Sequence, residues 1–150
     1  MAGTFTSLHY HLVFSTKDRF PFLDADLRAR LYEYIGGIIR SENGILLEAG
    51  GMPDHVHLLV RLPTQTAVSD WMRIIKSKSS GWVHETFPGK EKFAWQEGYG
   101  AFTVSQSDLE RVKEYIRNQA EHHRTRSFQE EFVRFLKVHE IEYDERLIWK

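Results

Sequence analysis

Two histidines one residue apart, His55 and His57, sit inside the apolar run HVHLLVRL of residues 55 to 62. In an extended chain, residues i and i+2 project from one face, so His55, His57 and Leu59 point one way while Val56, Leu58 and Val60 point the other. Imidazoles fixed side by side on a strand suit a metal ion, provided that a third ligand arrives from elsewhere. The stretch YIRNQAEHH, residues 115 to 123, offers one. Tyr115 and Gln119 are four residues apart and share a helical face, with His122 about one turn further along. Each residue also has a plainer reading. The histidines are then half-exposed strand residues, Tyr115 is a core tyrosine beside Leu109, Val112 and Ile116, and Gln119 is a solvated helix residue.

Composition narrows the chemistry. The chain has 150 residues and no cysteine, which removes disulfides, thiolate metal sites and thiol nucleophiles and leaves imidazole, carboxylate and amide groups to hold any metal. A hydrophobic content of 41% supports one sizeable core. A single domain over 1–150 is expected, with a core over about 5–125 and a C-terminal helical extension over about 127–150. No window approaches the roughly 18 apolar residues of a membrane span, and no signal-peptide pattern opens the chain. A soluble cytoplasmic protein is the expectation. The formal net charge of −1 argues against a large duplex-DNA footprint, but not against single strands, where stacking and a local groove carry more of the binding.

The elements that position these residues follow from periodicity. LHYHLVFST, residues 8 to 16, alternates as a first strand, with His9, His11 and Val13 on one face. Asp24 is placed to cap a helix running to about Arg40. Residues 45 to 49 and 55 to 62 read as two strands around Gly50, Gly51 and Pro53. A second helix starts near Thr66 and carries Val68, Trp71, Met72, Ile75, Trp82 and Val83 on one stripe. A glycine-bearing aromatic loop, residues 88 to 100, leads to a strand at 101 to 105. Ser107 with Glu110, and Ser127 with Glu130, are capping-box pairs that open a third and a fourth helix. In the fourth, Phe128, Phe132, Phe135 and Leu136 form an apolar stripe. The order predicts an α+β, ferredoxin-like fold: a four-stranded antiparallel sheet, two crossover helices on one face, and C-terminal helices carrying Tyr115. The other sheet face is expected to stay open, with the histidines looking out of it.

Taken together, H-V-H on an inner strand and Y-I-R-N-Q on a later helix resemble the HUH endonuclease superfamily. More narrowly, the chain resembles the single-tyrosine transposases of small insertion sequences and their repeat-associated relatives. YHLVFSTK at 10 to 17, PDHVHLLV at 53 to 60, KSKSSGWV at 76 to 83, WQEGY at 95 to 99 and YIRNQAEHH at 115 to 123 carry that likeness in order and spacing. It implies cleavage of single-stranded DNA by Tyr115 to a 5′-phosphotyrosine and a free 3′-hydroxyl. Mg²⁺ or Mn²⁺ would be held by His55, His57 and Gln119, with His122 as an alternative to Gln119. It also implies a hairpin at the element end as the DNA partner, and a homodimer in which the tyrosine helix serves its own subunit or its partner. Three neutral donors would leave the cation's charge undiminished for a phosphate.

For DNA contacts, Arg73, Lys76, Lys78, Ser79 and Ser80 place cations and hydroxyls on the second helix, and Trp95 and Tyr99 offer stacking surfaces. A solvated basic face and a core tryptophan are the competing readings. Arg111, Lys113, Arg117, Arg124 and Arg126 either track phosphates or balance nearby glutamates, and His84 and His139 are expected at the surface. A cupin-type oxygenase lacks its glutamate in LLVRLP, and a barrel hydrolase needs about 250 residues. An RNA-recognition module needs aromatics where this sheet face shows histidines. A transposase-derived protein that binds single-stranded DNA or RNA without cutting it remains the alternative function.

Overall fold

The structure, a computed structural model, describes residues 3–150; Met1 and Ala2 of the expected domain lie outside the described residues. Strands β1 (His9–Ser15), β2 (Ile45–Met52), β3 (His55–Arg61) and β4 (Gly100–Val104) form one antiparallel sheet in the order β2-β3-β1-β4. Helices α1 (Ala25–Ser41) and α2 (Val68–Thr86) are the two crossovers. Three further helices follow the last strand: α3 (Leu109–Arg117), α4 (Gln119–His122) and α5 (Phe128–Val138). Among the described residues no helix is long and apolar enough to cross a membrane.

Strand alternation sorts the side chains into two cores. Leu12 and Phe14 of β1 and Val56, Leu58 and Val60 of β3 pack against Leu31 and Ile35 of α1 and Trp71 and Ile75 of α2. Val13 and Phe102 pack on the opposite face with Phe128, Phe132 and Leu136 of α5, while Leu59 meets Leu109 and Ile116 of α3. The second face is therefore not open. The C-terminal helices close over it, and His55 and His57 are fully buried. The apolar stripe of α5 explains the difference, because each large apolar side chain withdrawn from water contributes about 1.5–3 kcal/mol. Its cap, where Ser127 Oγ accepts from the Glu130 N–H at 3.2 Å, supplies only about 1 kcal/mol. The stripe, not the cap, holds α5 down.

Three local readings change, and one holds. Asp24 does cap α1, accepting from the Leu27 N–H at 3.0 Å. Ser107 does not cap α3: its hydroxyl pairs with Ser105 at 3.1 Å, and a 3-10 turn over Gln106–Asp108 leads into the helix. The third helix, expected to run unbroken past Tyr115 and Gln119 to His122, is interrupted at Asn118, which separates α3 from α4. The strand read over 45 to 49 runs on to Met52, since Gly50 and Gly51 continue the ladder opposite His57 and Val56.

Candidate active site and metal centre

β3 delivers His55 and His57 to the face covered by α3, α4 and α5, and each ring is fixed through Nδ1. His55 Nδ1 meets Asp54 Oδ1 at 2.7 Å, and His57 Nδ1 shares a 2.8 Å hydrogen bond with His11 Nε2 from β1. Both Nε2 atoms are thereby aimed inward. His57 Nε2 lies 2.9 Å from Glu131 Oε1, while His55 Nε2 lies 3.5 Å from that oxygen and 3.1 Å from Gln119 Oε1. Tyr115, on α3, donates its hydroxyl hydrogen bond to the other oxygen of Glu131. Its ring centroid is 5.8 Å from that of His57. Tyr115, Gln119 and the histidine pair, far apart in sequence, thus meet within one chain.

The sequence reading missed the residue at the centre. Glu131 belongs to α5, is buried, and accepts hydrogen bonds from three sides. A signal was present: residues 128, 131, 132 and 135 follow helical spacing, so Glu131 occupies a slot in an otherwise aromatic stripe. A carboxylate buried there demands partners. His123, beside His122 at the end of the Tyr115 stretch, also joins the cluster. Its Nε2 lies 3.1 Å from Gln119 Oε1 and 3.4 Å from Glu131 Oε1. His122, weighed as an alternative ligand, instead stacks on Tyr115 at 4.4 Å.

Burial and charge set the ionisation of the cluster. Burial pushes His57 down to about 4 despite the neighbouring Glu131 charge. Burial and the nearby His57 likewise hold His11 well below the usual imidazole range. Burial would raise the Glu131 carboxyl, but hydrogen bonds from His123 and His57 outweigh it and keep the group ionised. Burial and that negative charge push the Tyr115 phenol well above its ordinary value.

The donor set fits a divalent cation. In the tautomer whose Nδ1–H donates to Asp54, His55 turns its Nε2 lone pair toward the Gln119 and Glu131 oxygens. Lone pairs facing one another are a geometry that a cation satisfies. His55, His57 and Glu131 offer ligand atoms within 4.8 Å of one another. The separations of 2.9, 3.1 and 3.5 Å match an octahedral shell, whose bonds of about 2.0–2.1 Å put adjacent donors about 3 Å apart. A carboxylate, Glu131, stands beside the expected neutral donors His55, His57 and Gln119. Imidazole, carboxylate and amide donors together suit a divalent cation.

The residues expected to touch DNA divide by exposure. Arg73 and Lys78 are exposed on α2, and Ser80 is half-buried. Lys76 is engaged within the chain, donating to the carbonyls of Gln96, Glu97 and Gly98 at 2.9, 3.1 and 2.5 Å. Burial pushes its ammonium down to about 8. Ser79 is buried and accepts from Trp95 Nε1 at 3.0 Å, and Trp95 packs on Phe14 and Phe93. That pair fastens the aromatic loop to α2. Tyr99 stays exposed beside Lys76. Of the second basic cluster, Arg111, Lys113, Arg117 and Arg124 pair with Asp108, Glu110, Glu48 and Glu121. His84 and His139 are exposed, as expected.

Comparison with known proteins places this arrangement. A family model described as "Transposase IS200 like" matches residues 4–119. The transposase for insertion sequence element IS200 of Salmonella typhimurium strain LT2 is 31% identical over 127 residues, covering 81% of this chain and 82% of the relative. The ISDra2 transposase TnpA of Deinococcus radiodurans is 30% identical over 123 residues, covering 78% and 87%. A crystal structure of a candidate transposase from Deinococcus radiodurans R1 superposes with a TM-score of 0.66 at 28% identity, over 79% of this chain and 95% of the other. The fold also matches a repeat-associated tyrosine transposase solved with a REP hairpin, with a TM-score of 0.61 at 17% identity, over 82% and 72%.

Proposed function

Because the chain belongs to the IS200-like transposase family, we propose that it cuts and rejoins single-stranded DNA through a covalent link between Tyr115 and a 5′-phosphate. One observation carries the reading: within a single chain, the Tyr115 hydroxyl, His57 Nε2 and His55 Nε2 converge on the two oxygens of Glu131. His55, His57 and Glu131, with Gln119 alongside, would hold Mn²⁺ or Mg²⁺. Bound there, the ion supplies a Lewis acid for a non-bridging phosphate oxygen and fixes the scissile phosphate.

The chain's own residues do the rest. Tyr115 attacks phosphorus; the phenol oxygen–phosphorus bond forms, the bond from phosphorus to the 3′-oxygen breaks, the phenol loses its proton and the 3′-oxygen gains one. Glu131 accepts the phenol's hydrogen bond and so orients the attacking oxygen. Its carboxyl is held too far below the usual range to keep the proton, so it positions the phenol rather than storing its proton. Asp54 and His11 lock the two metal-binding rings in rotation. The phosphotyrosine preserves the bond energy of the cut strand, so a second 3′-hydroxyl can reverse the step without a nucleotide cofactor. Arg73, Lys78 and Tyr99, exposed on and beside α2, are the proposed contacts to a DNA hairpin. A homodimer acting in the cytoplasm belongs to the same reading, with one complete catalytic set per chain.

The test mixes the protein with labelled single-stranded oligonucleotides and Mn²⁺ and looks for a denaturation-resistant adduct. Tyr115→Phe should abolish the adduct while leaving strand binding within about twofold, because it removes one oxygen and no packing volume. Strand binding without any adduct from the wild-type chain would favour the non-cutting alternative.

A further inference from the structure

Tyr115 forms part of the wall of a cleft of about 510 Å³ between β4, α3 and α5. Phe135, whose ring edge meets Tyr115 at 5.7 Å, and His139 line it as neighbours on α5, and both pack on the buried Phe102 at 5.4 and 4.5 Å, which fixes their rings. Arg111 and Arg134 enter from α3 and α5. Arg111 is tied to Asp108 at 3.1 Å, whereas Arg134 has no carboxylate partner among the described residues. The carboxylates of the lining, Asp108 and Glu131, are engaged with Arg111 and with His57 and Tyr115. The free charge of the cleft is therefore positive. His122 adds a buried Nε2 with no hydrogen-bond partner, on the ring stacked against Tyr115.

These features describe a receptor for a nucleotide. Aromatic faces take a base, an unpaired guanidinium takes a phosphate in bidentate fashion, and the volume falls within the about 300–1,000 Å³ of small-molecule sites. The geometry points to this cleft as the subsite for the nucleotide that remains attached to Tyr115, its base against Phe135 and His139 and its backbone phosphate against Arg134. The inference rests on the strand-cleavage reading for its choice of nucleotide. In-line displacement sends the departing 3′-oxygen away from the phenol oxygen, so the retained nucleotide is the one beside the tyrosine ring. Arg134, Phe135 and His139 lie beyond residue 119, where the family match ends. The subsite is thus built mainly by this chain's C-terminal helix, and it holds the nucleotide that follows the cut by its base face and its phosphate.

Two measurements on the full chain test this. In the first, deoxynucleoside 5′-monophosphates and, separately, inorganic phosphate are titrated while the resonances of Phe135 and His139 are followed. Mononucleotides should shift them and inorganic phosphate should not, and Arg134→Ala should weaken mononucleotide binding about tenfold. In the second, adduct formation in Mn²⁺ is compared on strands whose nucleotide 3′ to the cut is normal or abasic. His139→Ala should slow the normal strand about fivefold and leave the abasic strand unchanged, whereas Arg134→Ala should slow both and Arg134→Lys should recover part of the loss. Tyr115-dependent adducts that form equally well in both alanine variants would overturn the subsite and leave strand cleavage standing. Nucleotide-specific shifts in a chain that forms no adduct would support the subsite and count against cleavage instead.

Discussion

His57 is asked to serve two proton arrangements, and His11 is the partner that permits both. A neutral His57 that donates from Nε2 to Glu131 accepts at Nδ1 from His11. One that offers its Nε2 lone pair to a cation carries its proton on Nδ1 and donates it to His11. An imidazole at position 11 can answer either way, and no aliphatic or phenyl group can. His11→Phe keeps a ring of similar size against Phe135 and Phe102 but orphans the Nδ1 proton. Mn²⁺ affinity should fall about 10–100-fold, the usual cost of losing a partner behind a metal ligand, with the melting temperature of the chelated protein changed far less. Calorimetric titration with Mn²⁺ measures this, and an affinity equal to wild type would remove His11 from the site's support.

At the scale of elements, a single glycine sets how closely the tyrosine helix can approach the histidine strand. Gly50 of β2 lies opposite His57 in the ladder, and a methyl group built on it would run into the Ile116 carbonyl and sit 2.9 Å from Ile116 Cγ2. Because backbone is what it meets, α3 would have to move as a unit, and Tyr115 would move with it. Gly50→Ala should therefore cost about 1–3 kcal/mol of stability through overpacking and reduce adduct formation at least tenfold, since about 1 Å of misplacement at a reacting group is that expensive. Circular dichroism should show the fold retained. Adduct formation at the wild-type rate would mean that this contact does not place the nucleophile. The same elements show what could be read from sequence. Alternation in β1 and β3 and the Asp24 cap are local signals, and both survive in the structure, whereas Tyr115 and Gln119, expected on one helix, lie on two and still face the same cluster. The break at Asn118 and the folding of α5 over the histidines depend on tertiary packing, to which local propensity is blind. Glu131 lay between, a local anomaly whose meaning needed the fold.

For the molecule as a whole, covering the histidine face creates a debt in protons that appears as acid sensitivity. His57 is pushed down to about 4 and His11 well below its ordinary value, both chiefly by burial, whereas an exposed unfolded chain protonates them near 6.5. Between pH 6.5 and 4 the unfolded state therefore binds protons that the folded state refuses, and stability drops as pH falls. His57 alone contributes about 3 kcal/mol of that loss. His123 works the other way: burial would lower it, but its hydrogen bond to Glu131 raises it, so its contribution builds as pH falls toward 6.5 and is complete below that. Glu131, held down by His123 and His57 against its burial, stabilises above the ordinary carboxylate range near 4.5 and gives way only under stronger acid. Below 6.5 the slope is therefore set by the two imidazoles that burial keeps neutral, His57 and His11. In chelator, the melting temperature should stay level from pH 8 to about 7 and then fall by about 6–12 °C on the way to pH 4.5. Calorimetric scans across that interval measure it, and a level profile down to pH 5 would mean that His11 and His57 are not the buried neutral pair described here. Saturating Mn²⁺ at pH 7.5 should raise the melting temperature, because the ion binds only the folded chain. That gain should fade over the same interval, as protons compete for the imidazole lone pairs that the cation needs.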